Sequence, residues 1–218
     1  MTSAEPSTTA DCYALLLLPD ERLAEQIESV KQAVARKVGP QRYLDHPPHI
    51  TLTKSCFRQR SEMTHCLSQW LAQTTFPRLQ TAGWHLFEAD PLTGESTIVC
   101  TLNASSTQTL RHLQTTLLEA VAGQRDRQAS LELYTAAWDR LSPLRQKSIE
   151  TWGFPYTGDD WIPHLTIASL PPSAASIAWP MVQEFSITND FSLTSLHITR
   201  LELEAMAESQ ALAIPGAM

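Results

Sequence analysis

Apolar positions along the chain recur with two periods, and their succession sets out the elements. Tyr13 to Leu18 is a largely apolar run of strand length, stopped by Pro19-Asp20. From Glu21 to Lys37 the spacing changes to Leu23, Ile27, Val30, Val34 and then Val38, one face of a helix that Gly39-Pro40 ends. A strand over His49–Lys54 follows, its entry held extended by Pro47-Pro48. The pattern predicts a helix over Ser61–Thr74. Strands over Trp84–Glu88 and Thr97–Asn103 are joined by the turn-forming Asp90-Pro91-Leu92-Thr93-Gly94. Leu110, Leu113, Leu117, Leu118 and Val121 give a second amphipathic helix over Ser106–Val121. Ser142-Pro143 opens a short helix that Trp152-Gly153 breaks. A strand over His164–Ala168 is closed by Pro171-Pro172, and a last strand pair is expected at Phe185–Thr188 and Phe191–Glu204. Met1–Asp11, rich in Ser, Thr and Ala, reads as a flexible arm.

Within this order one pentapeptide recurs. Pro48-His49-Ile50-Thr51-Leu52 returns as Pro163-His164-Leu165-Thr166-Ile167. Side chains alternate faces along a strand. His49 and Thr51 therefore point one way, Ile50 and Leu52 the other, and the second copy repeats the arrangement. The elements around the two copies also run parallel, which reads as a diverged duplication with a larger insertion between Val121 and Trp161.

Composition narrows the setting. Apolar residues are 43% and charged residues 18%, the proportions of a folded chain. The net charge of −7, without a basic stripe, argues against holding a duplex nucleic acid by its backbone. Cys12, Cys56, Cys66 and Cys100 form no CxxC pair, the early apolar run is too short to span a bilayer, and the N-terminus lacks a basic n-region. Free thiols in a reducing cytoplasm are the simplest expectation, with no membrane partner.

Two copies of His-x-Thr-hydrophobic, about half a domain apart, resemble the two-histidine phosphoesterase superfamily. The opening strand with Pro19-Asp20, the Gly39-Pro40-Gln41 approach to the first motif, and Ile162-Pro163-His164-Leu165-Thr166 look most like its cyclic phosphodiesterase branch. Leu141-Ser142-Pro143 through Trp152-Gly153-Phe154-Pro155-Tyr156 looks instead like its phosphonate-linked branch. The resemblance implies an α+β fold, bilobal and duplicated over 12–218, with two antiparallel sheets flanking a central cleft and helices outside. It implies no cofactor and no metal, and carries over His49, Thr51, His164 and Thr166 as catalytic residues.

Those residue types suit the opening of a cyclic phosphodiester. One proton must leave the attacking water and another must reach the departing ribose oxygen. A pair of imidazoles with ordinary pKa near 6.5 can divide that work. Threonine hydroxyls can donate to the non-bridging oxygens as charge builds on them. The expected substrate is a 2′,3′-cyclic nucleotide or an ADP-ribose 1″,2″-cyclic phosphate, bound by a monomer. Alternatives are a 2′-5′ phosphodiesterase or ligase acting on a short RNA end, a phosphonate-associated relative, and a non-catalytic nucleotide binder.

Other candidates are weighed against plain packing. Tyr43, Phe57, Trp152, Tyr156 and Trp161 are able to stack on a base. Tyr156 and Trp161 are preferred, because the Gly153–Asp160 loop should overhang the second motif. Arg42 is preferred to Lys54 for phosphate, since strict alternation puts Lys54 on the face opposite His49. His46 is expected in a surface loop, with His65, His85 and His112 in ordinary settings. His197-Ile198-Thr199 matches the bare pattern but lacks the preceding proline and is expected to pack.

Overall fold

The computed structural model describes residues 11–201 and 206–216. The expected arm up to residue 10 and the end of the last expected strand, 202–204, lie outside the described residues. The strands are β1 (Asp11–Pro19), β2 (Ile50–Phe57), β3 (Leu79–Phe87), β4 (Ser96–Leu102), β5 (His164–Leu170), β6 (Asp190–Phe191), β7 (Leu193–Leu201) and β8 (Met206–Ala213). The helices are α1 (Glu21–Val38), α2 (Arg60–Gln73), α3 (Ala104–Val121), α4 (Arg127–Glu132), α5 (Pro143–Trp152) and α6 (Pro172–Gln183). Side-chain caps start α1, α3 and α5, where Asp20, Asn103 and Ser142 accept from Leu23, Ser106 and Arg145 N–H, and Pro143 takes the first position of α5.

All eight strands join one antiparallel sheet, in the order β6-β3-β4-β5-β2-β1-β7-β8. The class is the expected α+β. The two expected sheets are halves of this one sheet, β2-β1-β7-β8 and β5-β4-β3-β6, joined at the motif strands. The junction is a single residue pair, Ile50 with Leu165. The repeats exchange strands: β3 of the first pairs with β4 of the second, and β7 of the second pairs with β1 of the first. The two repeats are therefore interleaved in one sheet. Tyr13, Leu15, Leu17, Ile50, Leu52, Leu165 and Ile167 point to the helical side, where they meet Leu23, Ile27, Met63, Leu67, Leu110 and Leu117 in one core. Each such side chain contributes about 1.5–3 kcal/mol by leaving water.

Strict alternation fails at one place in each motif strand, and at the same place. Along β2 the partners of β1 jump from Thr51 to Thr53, and along β5 the partners of β4 jump from Thr166 to Ala168. Leu52 and Ile167 are extra residues, each making a β-bulge that puts two successive side chains toward the core. Beyond the bulge the faces exchange. Thr53 and Ser55 turn to the helical side, and Lys54 turns to the same face as Thr51, against the expected alternation.

Three further expectations change. Phe185–Thr188 is not a strand, and 172–183 is a helix. Pro171-Pro172 does end the strand, but Pro172 also opens α6, since a first-turn proline has no N–H to lose. Cys12 and Cys56 are partners across β1 and β2 and form a disulfide, so only Cys66 and Cys100 are free.

The insertion between α3 and β5 has a small core of its own, Tyr134, Leu141, Ile149 and Phe154. It docks on the part of β2 that β5 leaves unpaired. Tyr134 Oη donates to Lys54 O at 2.7 Å, Ser130 Oγ accepts from Cys56 N at 3.1 Å, and Ser55 Oγ donates to Gly153 O at 3.0 Å. Gly153 caps α5 with φ +76°, and a Cβ there would lie 2.1 Å from Ser55 Oγ and 2.7 Å from Arg125 Cδ. Gly153→Ala is expected to cost on the order of 3 kcal/mol, from backbone strain and from lifting the insertion off β2. Chemical denaturation measures it; a variant as stable as the parent would mean that the insertion does not depend on this close approach.

Candidate active site

The Ile50–Leu165 pair arranges both motifs around one point. Continued one residue each way, its antiparallel register sets His49 against Thr166 and Thr51 against His164 across the seam. The two imidazoles are thus diagonal to each other, each facing the other motif's hydroxyl. All four residues line one cavity of about 710 Å³.

The imidazoles are held alike. His49 Nδ1 lies 2.7 Å from Pro47 O, and His164 Nδ1 lies 2.7 Å from Ile162 O. A carbonyl only accepts, so the proton sits on Nδ1 and Nε2 is left for chemistry in both neutral rings. Loss of solvent lowers both pKa values. His49 is pushed down to about 3, chiefly by burial, with the positive charges of Lys54 and Lys31 and the ring of His46 adding to it against the Pro47 hydrogen bond. His164 is also lowered, chiefly by burial and further by Lys54 and His85, while the Ile162 hydrogen bond and Asp90 oppose this.

Three segments wall the cavity. The β3–β4 hairpin brings Phe87, Asp90 and Thr93, and the ring of Phe87 stands edge-on to His164 at 5.3 Å and to His85 at 4.7 Å. The insertion brings Arg145 and Tyr156, with the guanidinium 4.8 Å over the phenol ring and bonded at 2.7 Å to Asp160. The loop before the first motif brings Tyr43 and His46, their rings 5.3 Å apart.

Of the preferred binding candidates, Tyr156 lines the cavity half-buried. Trp161 also lines it but is 3% exposed and belongs to the main core, so most of its surface is committed to packing. Arg42 is exposed and stands outside the cavity lining; its backbone carbonyl accepts from Ser169 N on the free edge of β5. Lys54 occupies the cavity instead, the reverse of the expected preference. His46 is corrected too: it is no surface residue but a wall residue, its ring 6.4 Å from that of His49. His85 likewise lines the cavity. His197 stands outside the lining and bonds Ser209 Oγ at 3.0 Å. Phe87 and Arg145 escaped the sequence reading because neither adjoins a motif; the hairpin and the insertion deliver them. No cluster of three or more His, Cys, Asp or Glu with metal-holding geometry occurs among the described residues.

The model of the 2′-5′ RNA ligase superfamily matches residues 19–204. The chain therefore belongs to that superfamily of two-histidine phosphoesterases, and is an enzyme of the phosphodiesterase type. No curated protein matches it in sequence. Among solved structures, Usb1 of Kluyveromyces marxianus is similar at 12% identity with TM-score 0.47, covering 95% of this chain and 100% of that one. Escherichia coli LigT complexed with NADP+ is similar at 12% identity with TM-score 0.46, covering 95% of each chain. No described helix is long and apolar enough to cross a membrane.

The loop leading into the first motif depends on one buried lysine. Lys31 of α1, 2% exposed, donates to Tyr43 O at 2.8 Å and to His46 O, and pins a turn in which Tyr43 has φ 72°. Lys31→Met should orphan both carbonyls and cost about 2–4 kcal/mol of unfolding free energy. Denaturant titration reads this out, and a loss under about 0.5 kcal/mol would mean that other contacts hold the turn.

Proposed function

We propose that the protein is a metal-independent phosphodiesterase that opens a small cyclic phosphate, of the 2′,3′-cyclic nucleotide or ADP-ribose 1″,2″-cyclic phosphate type. The observation that carries this reading is the single-pair seam, which gathers His49, Thr51, His164 and Thr166 about one cavity. In the hydrolytic direction His49 Nε2 takes a proton from water, whose oxygen bonds to phosphorus. The bond from phosphorus to one ribose oxygen breaks, and His164 Nε2 gives that oxygen its proton. Thr51 and Thr166 hydroxyls donate to the non-bridging oxygens.

His49 is assigned the base because burial, with the charges of Lys54 and Lys31 adding to it, keeps it neutral; His164, also lowered by burial, is assigned the acid because the Asp90 carboxylate opposes that shift. Tyr156 and Phe87 offer faces for a base, and 710 Å³ suits one nucleoside phosphate. The net charge of −7 disfavours a long RNA, whose end remains the alternative substrate. A monomer fits a small nucleotide substrate, and the Cys12–Cys56 disulfide weighs against the expected reducing cytoplasm.

His49→Ala and His164→Ala should each lower turnover of a 2′,3′-cyclic nucleotide by at least about 10²-fold, with His197→Ala within a few-fold of the parent. The assay runs in excess EDTA, where the parent should keep its activity. Equal damage from His197→Ala, or activity lost to chelator and restored by Zn²⁺, would overturn the reading.

The pH profile tests the role assignment. kcat/KM reports the free enzyme and requires His49 neutral and His164 protonated. Since His49 is lowered to about 3 and His164 lies below its ordinary 6.5, both conditions hold together only on the acid side of 6.5. The kcat/KM maximum is expected there, falling as pH rises through the His164 value. A maximum well above pH 7 would refute the assignment.

A further inference from the structure

The two motif strands carry the same bulge and differ in the side chain that follows it. Counting through the equivalent bulges, the third residue after Thr51 is Lys54 and the third after Thr166 is Ser169. Both return to the cleft face. Ser169 is buried and fully engaged, its Oγ 3.2 Å from both Thr97 Oγ1 and Thr93 Oγ1, which ties the hairpin to β5. Lys54 is half-buried in the cavity wall, and its ammonium has no hydrogen bond or ion pair among the described residues. Only its backbone carbonyl is taken, by Tyr134 Oη. Asp90 is the carboxylate whose field reaches it, and Asp90 Oδ1 already accepts from Leu92 N in its own turn. The other cation in the lining, Arg145, is committed to Asp160 and to the Tyr156 ring.

A near-twofold cleft offers a cyclic phosphate two orientations, related by exchanging the histidines. Thr51 and Thr166 cannot choose between them, because each presents the same hydroxyl. We propose that Lys54 binds the charged non-bridging oxygen of the phosphate on the β2 side and so fixes which way round the substrate lies. This rests on the reading of the site as a cyclic phosphodiesterase. With that oxygen held towards Lys54, the nucleoside extends towards Phe87 and Tyr156, and the same ribose oxygen always faces His164. One product isomer follows. A lysine left unpaired in a desolvated wall lacks a counter-ion until an anion arrives, and a point charge on a flexible stem suits phosphate.

The test uses the full chain as parent, Lys54→Met, Lys54→Gln and Lys54→Arg. Calorimetry gives the affinity for 2′-AMP and 3′-AMP, and chromatography resolves these two products of 2′,3′-cyclic AMP hydrolysis. The parent should form one isomer. Lys54→Met and Lys54→Gln should bind the product nucleotide at least about 10-fold more weakly and release both isomers, with Lys54→Arg nearer the parent on both measures. Gln keeps a polar side chain at the position should Met prevent folding. A parent that already releases both isomers, or neutral variants that keep parental affinity and a single isomer, would overturn the proposal. A parent that binds 2′-AMP or 3′-AMP without turning over the cyclic nucleotide would sink the reaction assigned above. The affinity comparison would still decide whether Lys54 binds phosphate.

Discussion

The structure depends on how little β2 and β5 share. Backbone N–H and C=O groups must be paired wherever water is excluded, and two central strands ordinarily satisfy each other along their length. Here they do so at Ile50 and Leu165 alone, and then part. A full ladder would press the two half-sheets together and leave no room between the histidines. Parting opens the cleft and creates two inner edges that need partners. The insertion covers one: Tyr134 and Ser130 bond to β2, Asp126 N bonds to Cys56 O, and Arg58 N bonds to Gln124 O. The loop before the first motif covers the other, through Arg42 and Ser169. Both covering segments also furnish cavity walls, Arg145 and Tyr156 from one, Tyr43 and His46 from the other. Edge protection and site construction are thus one solution to one constraint.

The matching bulges show how far the duplication reaches. An extra residue after each motif threonine keeps Leu52-Thr53 and Ile167-Ala168 on the core side and returns the next side chain to the cleft. Backbone geometry is therefore shared more deeply than side-chain chemistry. Symmetry supplies the paired imidazoles and hydroxyls. Departures from symmetry, Lys54 against Ser169 and the Asp90 charge that acts on His164, would give the proposed reaction its direction.

Much of the fold was legible, because each long element buries a face whose period the sequence carries. The helices α1, α2 and α3 and the strands β1 and β4 fall within a few residues of their expected ranges. The motif residues were legible for a different reason: a repeated polar pair within an apolar repeat has no packing purpose. Lys54 was misplaced because a bulge adds no residue type that marks it; Leu52-Thr53 reads as ordinary strand. The helix α6 was hidden behind Pro172 and Pro180, and its buried Ala175 and Ala178 are too small to raise a strong apolar period. Phe87, His85 and Arg145 belong to the site through tertiary docking, and the Cys12–Cys56 pairing through register, neither of which local sequence encodes.

Desolvation gives the cleft its remaining property. Both imidazoles are lowered by burial, and the Lys54 charge lowers them further, so the empty cleft favours neutral rings. In the proposed reaction, an acid–base pair in that state lacks the proton that its acid must deliver. A phosphate bound as proposed would bring negative charge into the same low-dielectric space, pair with the Lys54 ammonium and raise the proton affinity of whichever imidazole it faces. His164, already favoured by Asp90, is the ring that gains most readily. In the proposed reaction, substrate binding would then favour the protonated His164 that the leaving oxygen needs. Two histidines lowered by burial suit an anionic ligand, which raises their proton affinity, better than a neutral one.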